Sequence, residues 1–130
     1  MAGESKVEVH IVTPEREVYS GEADLLIART TEGDVGIMAH HAPLLGALAI
    51  GPLTIVDGRE RERAAVDGGF LHVKDNRVEV LAEHAELESE IDTEAARRRA
   101  EELRARVERD GNAEARAELQ KAVVRIDIGK

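Results

Sequence analysis

The sequence predicts an all-β sandwich or flattened barrel over residues 1–87, followed by an antiparallel two-helix hairpin over residues 88–130. Two observations carry that expectation. Short apolar–polar alternations broken by polar turns recur at regular spacing up to Ala82, as in small antiparallel sheets. After Glu86 the apolar residues recur at helical spacing instead, and the charge balance changes with them. Residues 1–86 carry 16 acidic and 8 basic side chains and residues 87–130 carry 11 and 10, in a chain of 130 residues with net charge −9.

Val7, Val9 and Ile11 occupy every second position, so a half-buried strand is expected there. Thr13-Pro14-Glu15 and Ser20-Gly21 each read as a turn. Leu25 to Ala28 is a nearly continuous apolar strand. Leu53–Val56 and Arg63–Val66 are expected to pair around Asp57-Gly58, because glycine supplies the positive φ of a tight hairpin turn. A second hairpin joins Phe70–Val73 to Val78–Ala82 across Lys74-Asp75-Asn76-Arg77. Roughly eight to ten strands of this kind close into a sandwich or a flattened barrel.

In the C-terminal part, Ala96, Ala100, Leu103 and Val107 form one helical stripe, with Asp92 as its N-cap and Glu94 in the first turn. Gly111 stops that helix in a left-handed conformation. Ala115, Leu119, Ala122 and Ile126 repeat the spacing, and the second helix is expected to end near Ile126–Ile128. Alanines dominate both stripes, so the pair buries too little to stand alone and must lean on the sandwich or on a partner. A marginal element with two docking surfaces is the raw material of a switch.

The segment from Glu32 to Leu48 places Gly33 and Gly36 three apart, then a His40-His41-Ala42-Pro43 corner, then an apolar run. Connecting backbone normally runs over the solvated surface. Ile37, Met38, Pro43, Leu44 and Leu45 are therefore expected to fold back into the core or to dock on a partner. Gly33 and Gly36 are expected to make a tight turn that presents Asp34 at the sandwich edge. Adjacent histidines suggest a metal only with further ligands. His10, His72 and His84 are distant in sequence, so His41 is expected to cap or pack the Ala42-Pro43 corner.

Several function classes are disfavoured. The acidic body lacks the basic footprint that nucleic acid requires. No cysteine is present, which removes disulfides and thiolate metal sites and fits a reducing cytoplasm. Met1 to His10 is polar and charged, so no signal peptide is expected, and the apolar run starting at Ala42 is too short to span a bilayer. No Gly-Lys-Ser/Thr phosphate loop follows the glycines. Ser5, Ser20 and Ser89 lack a nucleophile-elbow context, so no catalytic residues are expected.

Taken in order, Ile11-Val12-Thr13-Pro14-Glu15, Ser20-Gly21-Glu22-Ala23, the Gly33–Leu48 segment and Gly68-Gly69-Phe70 resemble the epsilon subunit of F-type ATP synthase, the counterpart of mitochondrial delta. The resemblance runs from about Val7 to Ile128 and implies, of the two all-β forms, the sandwich. It implies a central-stalk rotor subunit without a catalytic site of its own, which couples the gamma subunit to the ring of membrane-embedded c subunits during proton-driven ATP synthesis. It places the protein peripherally on the cytoplasmic face of a bacterial plasma membrane, with no direct membrane insertion. Asp34, Gly36, His41 and Pro43 fall where the family meets gamma and the c-ring.

The resemblance also bears on the hairpin. Some relatives bind ATP between sandwich and hairpin through Ile-Asp-x-x-Arg-Ala. Here Ile91, Asp92 and Ala96 match, but Ala95 replaces the arginine and removes a phosphate-binding fork. The reading preferred is that Asp92 caps the helix, that Arg97, Arg98 and Arg99 form a solvated face paired with Glu94, Glu101 and Glu102, and that no cofactor is held. In the family the hairpin can extend along gamma and touch acidic segments of the catalytic alpha/beta head, blocking hydrolysis. Arg97, Arg98, Arg99, Arg104, Arg106 and Arg109 suit such contacts. The alternative is a free-standing sandwich that binds a small ligand under a helical lid. It requires a dry apolar pocket and no exposed interaction face.

Overall fold

A computed structural model describes residues 6–129; Ser5, one of the serines weighed above, lies outside that range. Eight strands run in chain order: β1 (Val7–Val12), β2 (Glu17–Ala23), β3 (Leu25–Thr30), β4 (Gly33–Ile37), β5 (Leu44–Asp57), β6 (Glu60–Lys74), β7 (Arg77–Ala82) and β8 (Ala85–Leu87). A 3₁₀ turn at Glu88–Glu90 leads to α1 (Thr93–Asp110) and α2 (Ala113–Gly129). The strands hydrogen-bond in the order β2-β1-β7-β6-β5-β3-β4, with β8 on β6. All pairs are antiparallel except β1 with β7.

The long strands β5 and β6 make the sandwich. Their register is continuous from Leu44↔Val73 to Asp57↔Glu60, yet each strand serves two layers. Residues 44–48 and 69–74 join β7, β1 and β2. Residues 50–57 and 60–67 join β3, β4 and β8. Both strands bend together at 48–50 and 67–69, where Gly68 and Gly69 adopt φ of 87° and 120°. The inward phase of the alternation reverses at that corner. In β6 Ala64 and Val66 face the core on one side of it, and Leu71 and Val73 on the other.

The core lies between the layers. Val9, Ile11, Val78, Val80, Leu71 and Val73 are stacked against Leu26, Ala28, Ile37, Leu53 and Ile55, all at most 2% exposed. Their burial is the main driving force of the sandwich, each large side chain contributing about 1.5–3 kcal/mol. Tight turns match the hairpin chemistry. Gly58 has φ 63°, and Asp75 and Asn76 have φ 53° and 59°, the positive angles of a two-residue hairpin loop.

Three local expectations are corrected. Ser20-Gly21 is not a turn but lies within β2, paired to His10 and Val9, because strand pairing to β1 outweighs the turn preference of the dipeptide. The Gly33–Leu48 segment is largely strand rather than loop. Gly33 has φ 123° beside the β3–β4 turn, whereas Gly36 lies within β4 opposite Ile27 and takes no part in a turn. Arg63–Val66 and Phe70–Val73 are parts of one strand, bent at the glycine pair.

The helices meet the expected stripes and add a face. Asp92 accepts the Ala95 N–H at 3.0 Å, and Gly111 closes α1 at φ 61°. Ala96, Ala100 and Leu103 of α1 and Ala115 and Ala122 of α2 are buried. A second stripe of α2, Val124 and Ile128, packs with Ile50 and Ala65 of the sandwich and with Ile91 just ahead of α1. The hairpin therefore docks through α2.

Candidate functional site

The sandwich has two outer faces, and the chain treats them differently. On the β2-β1-β7 layer, residues opposite in phase to the core project to solvent. Val12 pairs with Leu81, Leu81 with Phe70, and Phe70 with Ala47, a row across four strands. Leu45 lies two residues from Ala47 and so on the same face. Phe70 is 56% exposed, Leu81 47% and Leu45 71%. A cleft of about 670 Å³ lined by Val12, Pro14, Leu48, Phe70 and Leu81 lies among them. Nothing among the described residues covers this face, and a contiguous apolar patch on a small protein marks an interaction surface.

The layer built on β3, β8 and the second half of β5 carries the hairpin. Between α1, α2 and the sheet lies a cleft of about 320 Å³ lined by Asp67, His84, Glu86, Asp92, Arg99, Glu118, Lys121 and Arg125, with Ala95, Ala96 and Ala122. Its chemistry is charged, unlike the dry pocket that the small-ligand alternative requires, and the bare apolar face runs against that alternative as well. Arg125 donates from both terminal nitrogens to Asp67 at 2.9 Å and from Nε to Glu86. Burial alone favours the neutral form of Arg125, but hydrogen bonds to Asp67 and Glu86 outweigh it and raise its pKa.

The residues expected from sequence fall into separate places. Asp34 is exposed at the β3–β4 hairpin and accepts from Arg29 Nε at 3.1 Å. His41 lies beyond the other end of β4, its Nδ1 2.6 Å from the carbonyl of Ala42, a local packing of the Ala42-Pro43 corner. His40, at φ 62°, donates its backbone N–H to Asn76 Oδ1 on the β6–β7 turn. Gly36 lies along β4 between these points, and Pro43 is exposed next to β5. Ile37 is buried while Met38 is 62% exposed, so the segment both folds back and projects outward. Among the described residues no group of three or more His, Asp or Glu side chains is placed to hold a metal.

On the hairpin, Asp92 is spent on its cap and Ile91 on the apolar contact with α2. Arg97 pairs with Glu94 at 2.8 Å and Arg99 with Glu102 at 3.6 Å, while Arg98 and Arg104 are exposed. Sequence reasoning missed the Phe70–Leu81 face and the Arg125–Asp67–Glu86 cluster. Signals for both were present. Gly69-Phe70-Leu71 puts two large apolar residues in succession on a strand, so one must face outward. Asp67 follows the apolar run Ala64-Ala65-Val66, and Arg125 interrupts Val123-Val124-Arg125-Ile126, each a charge where burial was due.

A family model described as ATP synthase, Delta/Epsilon chain, beta-sandwich domain matches residues 6–88. The ATP synthase epsilon chain of Streptomyces avermitilis is 50% identical over 118 residues, 89% of this chain and 93% of that one. The epsilon chain of Thermobifida fusca is 46% identical over an alignment of 134 residues, covering 100% and 96%. A chain in the OSCP/F1/c-ring structure of Euglena gracilis mitochondrial ATP synthase superposes with TM-score 0.76 at 24% identity, covering 95% of this chain and 78% of that one. A chain in the central stalk/c-ring structure of the Tetrahymena thermophila mitochondrial enzyme gives TM-score 0.56 at 22% identity, with 95% and 96% covered. These two likenesses bear on the fold.

Proposed function

We propose that this chain, which belongs to the ATP synthase delta/epsilon family, is a non-catalytic rotor subunit that clamps gamma to the c-ring through its sandwich and restrains ATP hydrolysis through its hairpin. The observation that carries the clamp is the bare face of Phe70, Leu81 and Leu45, an apolar surface that the chain's own helices leave uncovered. Gamma is the partner assigned to it. Asp34, Gly36, His41 and Pro43, distributed along and beyond β4, are assigned to the rim toward the c-ring and gamma. Residues 1–87 are the clamp and 88–130 the brake.

Several features support this division. The sandwich has its own core, separate from the small apolar cluster beneath α2. The exposed arginines of α1, Arg97, Arg98, Arg99 and Arg104, suit contact with acidic segments of the alpha/beta head. Among the described residues no helix is long and apolar enough to cross a membrane, so attachment to the cytoplasmic face runs through the complex. ATP is not assigned to the cleft at Ile91 and Asp92, since Ala95 offers no phosphate donor and Arg125 is already satisfied by two carboxylates.

The test uses the matching alpha–beta–gamma complex. Phe70→Glu with Leu81→Glu is expected to abolish co-elution with gamma and leave the thermal midpoint unchanged, since both side chains are exposed; central apolar anchors of an interface are worth about 2 kcal/mol or more each. A chain ending at Glu90 is expected to bind without slowing ATP hydrolysis, whereas the full chain binds and slows it. Binding of the double variant at full strength overturns the clamp face. Equal hydrolysis with both lengths overturns the brake.

A further inference from the structure

The hairpin rests on the sandwich through little apolar surface. Only Ala65, Val124 and Ile128 are buried in that cluster, rimmed by Ile50 and Ile91, and α2 rather than α1 makes the hairpin's main contacts with the sheet. What remains is polar. Arg63 Nη2 donates to the Ile128 carbonyl at 2.9 Å and Gln120 to the Ile50 carbonyl at 3.3 Å. At the centre, Arg125 meets Asp67 through two parallel 2.9 Å hydrogen bonds and Glu86 through a third, with side chains 12%, 6% and 31% exposed. Arg125 also donates to the Lys121 carbonyl within α2 at 3.0 Å, which fixes its orientation. Asp67 is held in turn by its strand, its backbone N–H donating to the His84 carbonyl at 2.9 Å.

We propose that Arg125, clamped between Asp67 and Glu86, is the latch that holds the hairpin on the sandwich, and that parting of this ion pair is the step that frees the helices while the sandwich stays folded. The physical argument is an asymmetry. A bidentate guanidinium–carboxylate pair is strong and geometrically specific, and a buried one is little screened by salt. Removing one partner leaves the other charge desolvated in the docked state, and undocking then relieves it by rehydration. Replacing Arg125 and Asp67 together with apolar side chains of similar volume removes most of that penalty, because the one charge left, Glu86, is 31% exposed and keeps part of its hydration. The second replacement must therefore rescue what the first loosens, a pattern that ordinary packing residues do not show.

Hydrogen exchange of the full chain reads this directly, with sandwich amides as the internal reference. Arg125→Met and Asp67→Asn are each expected to speed exchange in α1 and α2 at least tenfold, with β1, β3 and β7 unchanged. Arg125→Met combined with Asp67→Leu is expected to return helix exchange to within about threefold of the parent chain. Helix exchange unaltered by the single variants overturns the latch. So does a double variant that opens as the sum of its parts. Acceleration of sandwich amides in step with the helices overturns it too, since Asp67 and Arg125 would then be supporting the whole fold. The readout needs no partner subunit, so it stands or falls separately from the clamp and brake.

Discussion

Glu90 is a single side chain that ties three parts of the molecule. It accepts from Arg16 Nη2 on the β1–β2 connection at 2.9 Å and from the Leu87 N–H at 2.9 Å, just ahead of α1. The Arg16 guanidinium and the Leu87 N–H hold its carboxyl below the ordinary glutamate value. Asp24 is lowered in the same sense by the Gly58 N–H and Lys6, and Glu8 by His10 and Arg77. A carboxyl depressed in the folded state contributes stability that is present above its unfolded pKa and lost as pH falls through its folded one. Urea midpoints are therefore expected to hold steady down to about pH 4.5, the ordinary glutamate value, and to fall below it. Glu90→Gln flattens part of that acid limb, and an unchanged limb refutes the assignment. Glu90 and Asp24 were not legible in the sequence, because Arg16 is 74 residues from the one and Gly58 34 from the other; for Glu8 only His10, two residues away, is local, and Arg77 is 69 away.

At the scale of the element, the corner of β6 decides both what folds and what could be read beforehand. A Cβ at Gly69, φ 120°, would lie 2.1 Å from the Leu81 carbonyl oxygen and 2.8 Å from Ala82 Cα, whereas one at Gly33, φ 123°, would meet nothing within 4 Å. Both positions penalise an L side chain, but only Gly69 adds a backbone clash. Gly69→Ala is expected to cost about 3–4 kcal/mol and Gly33→Ala about 1–2 kcal/mol in denaturant unfolding. Equal costs would show that the sheet relaxes at the corner. The same corner explains the errors of sequence reasoning. Strands with one phase, such as Val7–Val12, were legible because every second residue is buried. In β6 the phase reverses at Gly68–Gly69, so a period-two reading sees two short strands where one 15-residue strand exists. The caps Asp92 and Gly111 were legible because their chemistry is local. The sandwich-facing stripe of α2 was not, because Val124 and Ile128 lie off the Ala115–Ile126 stripe and what they pack on, Ile50 and Ala65, is distant in sequence.

For the whole molecule, the proposed roles divide between two faces that share no side chains in their apolar contacts. The Phe70–Leu81 face belongs to the layer of β1, β2 and β7, and the hairpin sits on the layer of β3 and β8. With the chain bound in the complex, reversing Arg97, Arg98, Arg99 and Arg104 to glutamate is expected to raise ATP hydrolysis toward that seen with the chain ending at Glu90. Co-elution with gamma should not change. Hydrolysis that stays low would leave those arginines as a solvated helical face and nothing more. Charge composition foretold the acidic body and the nearly neutral tail, but it could not say which surface the tail covers, since that depends on the β5–β6 fold-over.

The opposed placement of these surfaces bears on load. Force passing between gamma and the c-ring would run through the first layer, and its path need not enter the helices. The hairpin could then swing out or return without slackening the grip, much as a pawl lifts while its wheel stays on the axle. Grip strength and braking would be separate settings in such an arrangement, each adjustable by substitution on its own side of the sandwich.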